Sequence, residues 1–318
     1  MIGKILEKNQ VAGRVLCGLA VIFPACCPFF LNAYWLRVLT DVFLYATLAQ
    51  SINIIAGYTG YPAFGNVVFF GLGAYSTGVL MVKFQASFLT SVAVGSFASV
   101  LFVLILGLPV LRLKGHYFAI ATLGLNEAVK AIVDNLSGLT GGGMGLSLPL
   151  RSGEITDNAR FFYLLLYTVM LASILIAYML TRSRFGYACR AIRSDEQAAA
   201  SMGINTTGYK TMAWMVSSVL TAITGSIYAY WMSYIEPSAV FDMTISVKAF
   251  VMFLLGGAAT VFGPIFGAFF LQFISTFAWS HLLNYHLGTF GLIIIFVVVF
   301  LPQGFATFLR NKFQSGPV

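Results

Sequence analysis

Residues 161–181 read FFYLLLYTVMLASILIAYMLT, an uncharged run bounded by Arg160 and Arg182. A helix of roughly 20 apolar residues is long enough to cross the hydrocarbon core of a bilayer. Further apolar runs lie at about 15–36, 38–57, 88–111, 211–232 and 288–301, and weaker, glycine-broken runs lie at about 64–82, 116–135, 244–259 and 262–281.

Composition supports a membrane location for the whole chain. Of its 318 residues, 59% are hydrophobic and 9% are charged, whereas soluble domains average about 25% charged residues. The sequence therefore predicts an all-α integral membrane protein with a single transmembrane domain over residues 1–318. We expect a polytopic helical bundle of about ten transmembrane or re-entrant helices.

Lysine and arginine are concentrated on one side of a ten-span layout. Twelve of the 18 fall in segments that would face inward: Lys4, Lys8, Arg14, Arg112, Lys114, Arg182, Arg184, Arg190, Arg193, Lys210, Arg310 and Lys312. Four fall outside, at Arg37, Lys83, Arg151 and Arg160. Because positive residues stay on the cytoplasmic side, we expect cytoplasmic N- and C-termini. These residues are dispersed, so the net charge of +8 gives no nucleic-acid signal.

A polar island, GYACRAIRSDEQAAASMGIN, follows the opening run at residues 186–205. Ser194 and Gln197 have the spacing of a capping box, which predicts a helix over 195–202. Gly203 stands where a left-handed C-terminal cap is expected, and a preceding helical piece would carry Arg190 and Arg193. The island is either a solvated connecting loop or a docking element for a partner protein.

The island resembles the cytosolic coupling segment of ABC-importer permeases, in particular the LivM-type permeases of branched-chain amino acid transport. Such permeases carry an EAA-x-x-x-G pattern, and this chain has QAA at 197–199 with Gly203 and an acid one place early. Four other stretches are similar to that family: FGNVVFFGLGAY at 64–75, YFAIATLGLNE at 117–127, TGGGMGL at 140–146 and LGGAATVFG at 255–263. The resemblance covers roughly residues 38–303.

The resemblance implies a bacterial inner-membrane permease that works by alternating access. Its partners would be a second, LivH-like permease subunit, two cytoplasmic ABC ATPase subunits and a periplasmic substrate-binding protein. The glycines at 141–145 are followed by Leu146 and Ser147, so no GxxxxGK[ST] phosphate loop exists there. We therefore expect no enzymatic activity and no cofactor on this chain, with ATP and Mg²⁺ bound by the ATPases. Branched-chain amino acids are the expected substrate, with urea or short amides as the alternative.

The coupling segment is placed at residues 182–209, within the transmembrane domain. Arginines and a carboxylate would orient docking at its rim, and small side chains would make the contact. The assigned residues are Arg190, Arg193, Glu196, Ala198, Ala199, Met202 and Gly203.

Ionisable residues within spans are costly and tend to face a cavity or a bundle interior. Glu127, Lys130 and Asp134 follow one another at helical spacing in the fifth span, which predicts pairing of Glu127 with Lys130 and of Lys130 with Asp134. Lys248 is another possible partner for Glu127. The alternative to such internal salt bridges is a substrate path, which we assign to Asn53, Asn126, Glu127 and Lys130.

The segment at 136–160 is expected to be a periplasmic loop. Its glycine-rich stretch predicts no helix, and Gly141, Gly142 and Gly143 would shape the substrate entrance or contact the binding protein. No Cys, His and carboxylate cluster has the spacing of metal ligands, so we expect no metal site.

Other polar and small residues in the spans predict helix packing. They are Gln50 and Asn53 in the second span, Ser217, Ser218, Thr221, Thr224 and Gly225 in the seventh, and the GxxxG pair Gly263 and Gly267. Spans two and seven each lead into a glycine-broken span, which is the layout of an inverted repeat.

Two other functional classes remain open at this stage. An ion-coupled secondary transporter would use Glu127, Lys130 and Asp134 as its relay. A membrane enzyme or receptor would need a catalytic cluster, and the sequence offers no nucleophile beside a plausible base.

Overall fold

The computed structural model describes residues 24, 25, 27–281, 288 and 291. The α-helices are α1 (Ala33–Ile52), α2 (Val67–Lys83), α3 (Phe88–Phe102), α4 (Leu108–Val110), α5 (His116–Asn135), α6 (Ser137–Thr140), α7 (Ile155–Arg182), α8 (Arg184–Ser194), α9 (Glu196–Ser201), α10 (Thr206–Met232), α11 (Pro237–Val240), α12 (Met243–Gly256) and α13 (Gly263–His281). Five-residue π-helical turns continue α1 as Asn53–Gly57 and join α3 to α4 as Val103–Gly107. Shorter 3-10 turns are Cys27–Phe29, Phe64–Asn66 and Gly142–Met144.

Six helical segments of the described chain are long and apolar enough to cross a membrane. They are Ala33–Gly57, Phe64–Lys83, Phe88–Val110, Ile155–Arg182, Thr206–Met232 and Pro237–Gly256. Helix α5 matches the predicted span at 116–135, and α13 begins one residue after the predicted 262. The prediction of a polytopic helical membrane protein is confirmed. Residues 24, 25 and 27–36 of the predicted span at 15–36 are described, and α1 begins at Ala33, so the end of this apolar run belongs to the same helix as the predicted span at 38–57. The predicted span at 288–301 lies outside the described residues except for residues 288 and 291, and the inverted repeat stays a prediction.

Several helices extend further than the apolar runs, because polar residues cap their ends. The side chain of Asn32 accepts the Trp35 N–H, so α1 includes Arg37, which the sequence had assigned to an outer connection. Helix α7 begins at Ile155, inside the predicted loop at 136–160. Asn205 caps α10 by accepting the Gly208 N–H, which shortens the coupling segment from 182–209 to 183–205.

Helices α2 and α10 pack backbone against backbone at the centre of the bundle. A Cβ on Gly73 would lie 2.1 Å from the carbonyl oxygen of Ala222, and a Cβ on Gly225 would lie 2.1 Å from that of Phe70. Ser226 also donates to the Gly73 carbonyl at 3.0 Å. Only glycine fits at these two crossings. For Gly225 this agrees with its predicted role in helix packing.

Helices α12 and α13 form a tight hairpin beside α1. A Cβ on Gly267 would lie 2.0 Å from the Met252 carbonyl oxygen, and one on Gly263 would lie 2.5 Å from that of Gly256. The Gly263 and Gly267 pair therefore allows close helix approach, as its GxxxG spacing predicts.

The ends of the helices define two faces of the bundle. The segment 183–205 contacts the end of α1, the residues that follow it and the first turns of α10. We call this the inner end, after its expected cytoplasmic location. At the opposite, outer end, strands β1 (Leu146–Ser147) and β2 (Tyr234–Ile235) pair antiparallel.

Candidate functional site

Three polar side chains from separate segments meet at the inner end. The Lys210 ammonium donates to Glu196 Oε1 at 2.6 Å and to the Tyr61 hydroxyl at 2.8 Å, and that hydroxyl donates to Glu196 Oε2 at 2.5 Å. The ammonium also reaches the Leu111 carbonyl at 3.3 Å. This triad of Glu196, Lys210 and Tyr61 ties the short helix α9 to α10, to the segment after α1 and to the end of α4.

The electrostatics of the triad favour an ionised Glu196. Burial alone would raise the pKa of this carboxyl, but the hydrogen bonds from Lys210 and Tyr61 outweigh burial and hold the pKa below its ordinary value. Burial and the hydrogen bond to Glu196 raise the pKa of Tyr61, so the phenol stays neutral and can donate. The Lys210 side chain is 3% exposed, and the carboxylate is the counter-charge that its burial requires.

The sequence did not identify two members of the triad. Lys210 was placed in the inner connection before the predicted span at 211–232, whereas α10 begins at Thr206 and buries Lys210 in its first turns. The sequence did hold a signal for the burial of Lys210: this lysine comes directly before the apolar run at 211–232, so it could lie within the first turns of the same helix. Tyr61 had no distinguishing signal, because its role depends on the path of the chain after α1.

Arg193 provides a second connection between the coupling segment and the spans. Its Nη1 donates to the carbonyl of Gly57, the last residue of the π-helical turn. Gly60 adopts a positive φ of +79°, and a Cβ there would lie 3.3 Å from the Arg193 side chain. Arg190 instead donates to the Thr181 carbonyl at 2.9 Å, at the end of α7.

Helix α9 is short and closed at both ends. Its N-cap is Asp195, which accepts the Gln197 and Ala198 N–H groups, and these bonds lower the pKa of Asp195. The predicted Ser194 capping box is wrong, because the Ser194 hydroxyl donates to the Arg190 carbonyl at the end of α8.

At the other end of α9, the chain closes the helix with a Schellman motif. Gly203 has a φ of +85°. Its N–H bonds the Ala200 carbonyl, and the Ile204 N–H bonds the Ala199 carbonyl. This is the paired bonding that defines the motif, and it agrees with the predicted C-terminal cap.

The predicted contact residues of α9 divide between two sides. Ala198, Met202 and Gly203 are exposed, with Met202 at 85%, whereas Ala199 is 4% exposed and packs inside the chain. Ala198 and Met202 are four residues apart and share one face. The exposed surface offered by the coupling segment is therefore centred on these two side chains.

Asn53 is fully buried and holds the turn between α12 and α13. Its Nδ2 donates to the Thr260 carbonyl at 2.8 Å, and its Oδ1 accepts the Ala259 N–H at 2.9 Å. Ala259 has a positive φ of +60°, a conformation that non-glycine residues adopt only when the surroundings hold it. Asn53 thus braces residues 257–262 against the end of α1.

The polar residues of α5 do not form the predicted ion pairs. Among the described residues, Glu127, Lys130 and Asp134 take part in no salt bridge. Asn126 is buried and donates to the Phe241 carbonyl at 2.9 Å, and the exposed Glu127 lies beside the Asn126 amide at 3.4 Å. Lys248 does not reach Glu127, because its ammonium lies 4.2 Å from the ring centroid of Tyr45.

A further polar cluster lies among the spans. Asn66 donates to the hydroxyls of Ser217 and Thr221 at 3.2 and 3.0 Å, and Ser51 lies 2.9 Å from the Thr221 hydroxyl. The sequence identified Ser217 and Thr221 as packing residues, which agrees with these contacts. It did not show that Ser51 and Asn66 complete the cluster.

The outer loop is a succession of turns that ends in the strand pair. Gly141, Gly142 and Gly145 all have positive φ values, and a Cβ on Gly141 would lie 2.2 Å from the Gly145 carbonyl oxygen. Gly143 has an ordinary φ and open space around it. Although no helix was predicted in this stretch, Gly142–Met144 forms one 3-10 turn.

A cavity of about 610 Å³ opens at the outer end beside this loop. Its walls come from the start of α1, the end of the loop, the start of α7 and the end of α10. The residues that line the cavity include the basic side chains of Arg37 and Arg151 and the aromatic side chains of Tyr230 and Trp231.

Comparison with known proteins places this arrangement in a family. The family described as branched-chain amino acid transport system / permease component matches residues 34–298. The chain is 26% identical to the high-affinity branched-chain amino acid transport system permease protein LivM of Salmonella typhimurium, over 98% of this chain and 79% of the relative. It is 24% identical to the LivH permease protein of Escherichia coli K12, over 82% of this chain and 90% of the relative.

The archaeal LivM protein of Methanocaldococcus jannaschii, described as probable, is 23% identical over 82% of this chain and 90% of the relative. No solved structure matches the chain. The chain has apolar helices long enough to cross a membrane, and the family matches most of its length. The chain belongs to the family of permease components of branched-chain amino acid transport systems.

Proposed function

We propose that this chain is a permease subunit of an ABC importer that carries branched-chain or similar aliphatic amino acids across a bacterial inner membrane. The observation that carries the proposal is the triad of Glu196, Lys210 and Tyr61 at the inner end. It fixes a short, doubly capped helix to the spans while Ala198 and Met202 remain exposed. A rigid projection with a free face is what a connector to a separate ATPase requires.

In this proposal, movement of the ATPases pushes α9 and changes the arrangement of the spans by alternating access. The contacts of the coupling segment supply the mechanical links. Glu196 pulls on the start of α10 through Lys210, and Arg193 pulls on the end of α1 through the Gly57 carbonyl. Both helices lie at the centre of the bundle, so motion of α9 reaches the membrane path directly.

The second permease subunit is proposed to cover α5. Glu127 is exposed on this helix and has no ion-pair partner in the described part of the chain. An isolated carboxylate at the depth of a span is costly in contact with lipid. We therefore propose that Glu127 and Lys130 face the other permease subunit or the substrate path between the two subunits.

The outer end is proposed to receive substrate from a periplasmic binding protein. The cavity bordered by Arg37 and Arg151 opens there, and the loop carrying Gly141, Gly142 and Gly143 is held beside it by strand pairing. In this orientation the N- and C-termini are cytoplasmic, as the distribution of Lys and Arg also favours.

The test is whether an ATPase binds the exposed face of α9. The tagged chain is purified with its native partners as wild type and as Ala198→Asp and Met202→Asp variants, and vanadate-sensitive ATPase activity is measured. Ala200→Asp is the matched control, because Ala200 is exposed on the opposite side of α9. We expect the wild type and the control to retain the ATPase and the other two variants to lose it.

Uptake assays complete the test. Proteoliposomes containing the wild-type complex should accumulate labelled leucine with internal ATP, and accumulate it more readily than urea or acetamide. If instead the wild-type chain purifies without an ATPase and an ion gradient drives leucine uptake, the protein is an ion-coupled carrier.

A further inference from the structure

One face of α7 is exposed along the inner half of the helix. Leu175, Tyr178, Met179 and Arg182 are all exposed, and their spacings of three and four residues place them on the same face. This face is apolar within the span and ends in a tyrosine and an arginine. One leaflet of a membrane has the same order, because apolar chains give way to an interface that favours tyrosine and then to charged headgroups.

The next helix, α8, is fixed against the last turn of α7. A Cβ on Gly186 would lie 2.1 Å from the Leu180 carbonyl oxygen, so the two backbones are in direct contact. Ser183, the residue between the two helices, donates its hydroxyl to the Leu180 carbonyl at 2.7 Å and accepts the Gly186 N–H at 3.3 Å. The first turn of α8 therefore stays at the level where α7 leaves the membrane.

Three arginines gather at this junction. The Arg182 guanidinium lies over the Tyr178 ring, 4.5 Å from its centroid. The Arg190 guanidinium lies 4.7 Å from the centroid of the Tyr187 ring and donates to the carbonyl of Thr181 at 2.9 Å, which brings it back from α8 to the end of α7. Arg184 is exposed and has no hydrogen-bond or ion-pair partner among the described residues.

The nearby sequence supplies no counter-charge for these arginines. No Asp or Glu occurs from residue 158 to residue 194. The two acids that follow are engaged elsewhere, because Asp195 caps α9 and Glu196 is bound by Lys210. Five N–H donors on each guanidinium are more than these contacts use. The junction thus offers positive charge and free donors to an anion from outside the chain.

We propose that this surface binds an anionic phospholipid from the leaflet at the inner end. Guanidinium groups bind phosphate through paired hydrogen bonds, and the apolar part of the α7 face would receive an acyl chain. The surface consists of Leu175, Tyr178, Met179, Arg182, Arg184 and Arg190. A lipid of zero net charge presents the same chains but lacks the net negative charge, so it should bind more weakly.

This lipid site gives Arg190 a different role from the docking role assigned by resemblance. Its hydrogen bond to the Thr181 carbonyl directs it to the end of α7, whereas the exposed Ala198 and Met202 lie on the following helix. Asp195 alone separates α8 from α9, so a lipid that holds α8 also holds the start of α9. The site concerns the membrane, and it goes beyond the proposed function.

The experiment measures lipid binding at the surface by fluorescence quenching in the assembled complex. Leu175→Trp is the reporter, because residue 175 lies about 10 Å along α7 from Arg182, at the depth of the middle of an acyl chain. Vesicles of dioleoylphosphatidylcholine receive increasing fractions of phosphatidylglycerol brominated at mid-chain, or of phosphatidylcholine brominated in the same way. The signal of the complex without the reporter is subtracted.

Brominated phosphatidylglycerol should quench the reporter at a lower fraction than brominated phosphatidylcholine. Arg182→Gln and Arg184→Gln should each lower this preference about fivefold, the effect of about 1 kcal/mol for one arginine near an anionic surface. Arg184→Lys keeps the charge and should keep most of the preference.

The matched control is the pair Arg112→Gln and Lys114→Gln, which removes two exposed cations from another inner connection. This pair should leave the preference unchanged. Equal quenching by both brominated lipids, or an equal loss in the control pair, would overturn the proposed site.

The competing occupant of this surface is the ATPase. Copurification of the ATPase is therefore measured for each arginine variant. If Arg182→Gln and Arg184→Gln lose the ATPase while the lipid preference is unchanged, the surface docks that protein and the lipid site is excluded. Quenching requires no transport, so failure of the lipid site leaves the proposed function standing, and failure of leucine uptake leaves the lipid site standing.

Discussion

The ammonium of Lys210 lies 2.6 Å from Glu196 Oε1, and the lysine side chain is 3% exposed. Two short hydrogen bonds from Tyr61 and Lys210 leave the carboxylate engaged on both oxygens. The pair therefore fixes α9 in one position relative to α10. A connector that transmits force must have such a fixed attachment, and this contact supplies it.

Removal of Glu196 should destabilise the protein more than removal of its charge alone. Glu196→Ala leaves a buried ammonium without a counter-charge, a change that costs about 3–5 kcal/mol in buried pairs. We expect somewhat less here, because the Glu196 side chain is 19% exposed. Glu196→Gln keeps an oxygen that accepts from Lys210 and should cost less. The measurement is thermal unfolding of the purified chain in detergent.

A double variant provides the control for this pair. Lys210→Met together with Glu196→Ala removes both charges, so its loss of stability should be smaller than the sum of the single losses. Strict additivity would mean that the 2.6 Å contact contributes no coupling energy.

The same pair predicts a pH dependence at the acid end. The pKa of Glu196 lies below its ordinary value of 4.5, so the folded state favours the charged form. The resulting stability is complete above pH 4.5 and is lost as pH falls through the lowered pKa. The difference in thermal midpoint between wild type and Glu196→Gln should therefore be constant from pH 8 to about 5.5 and shrink below about 4.5. A difference in thermal midpoint that does not shrink at all as the pH falls below 4.5 would exclude this linkage.

The helices could be predicted well from the sequence because the bilayer imposes length and composition on each span. Helix α5 was predicted at both ends, although it carries Glu127, Lys130 and Asp134. The errors lie at helix ends: Arg37 and Lys210 were assigned to connections, because apolar runs end before the helices do. Polar caps such as Asn32 and Asn205 extend these helices.

The site could be predicted only in part, since its contacts join residues far apart in the chain. The exposed position of Met202 and the cap at Gly203 follow from local sequence, and both were anticipated. The burial of Ala199 and the bond between Asn53 and Thr260 depend on how segments pack, for which the sequence has no local signal. The same holds for Asn66, whose partners lie about 150 residues later.

Close helix approach at Gly225 predicts a steric effect of a single methyl group. A Cβ there would lie 2.1 Å from the Phe70 carbonyl oxygen, so Gly225→Ala must separate α2 from α10. Overpacking typically costs about 1–3 kcal/mol, and backbone contact on the far side favours the upper end. We expect a lower thermal midpoint and weaker uptake.

Gly124→Ala is the matched substitution for Gly225→Ala. Gly124 is also a helical glycine within a span, and nothing lies within 4 Å of a Cβ built on it. Its thermal midpoint should equal that of wild type or exceed it slightly. If both variants lower the thermal midpoint equally, the loss of glycine flexibility in the helices, rather than the contact with Phe70, determines the change in stability.

The glycines of the outer loop should differ in a graded way when each is changed to alanine. Gly141 has a φ of +73°, and its Cβ would lie 2.2 Å from the Gly145 carbonyl oxygen; Gly142 has a φ of +57° and a nearest atom at 2.9 Å. The left-handed conformation alone costs an alanine about 1–2 kcal/mol. Gly143 has neither constraint, so Gly143→Ala is the internal control.

We therefore expect uptake at limiting binding protein to fall most for Gly141→Ala, less for Gly142→Ala and not at all for Gly143→Ala. The reason is that distortion at Gly141 moves Gly145 and so disturbs the pairing of Leu146 with Ile235. Uptake is measured against binding-protein concentration, because a docking defect is overcome at saturation and an unfolded loop is not. Normal uptake by Gly141→Ala at every concentration would show that the shape of this loop has no part in substrate entry.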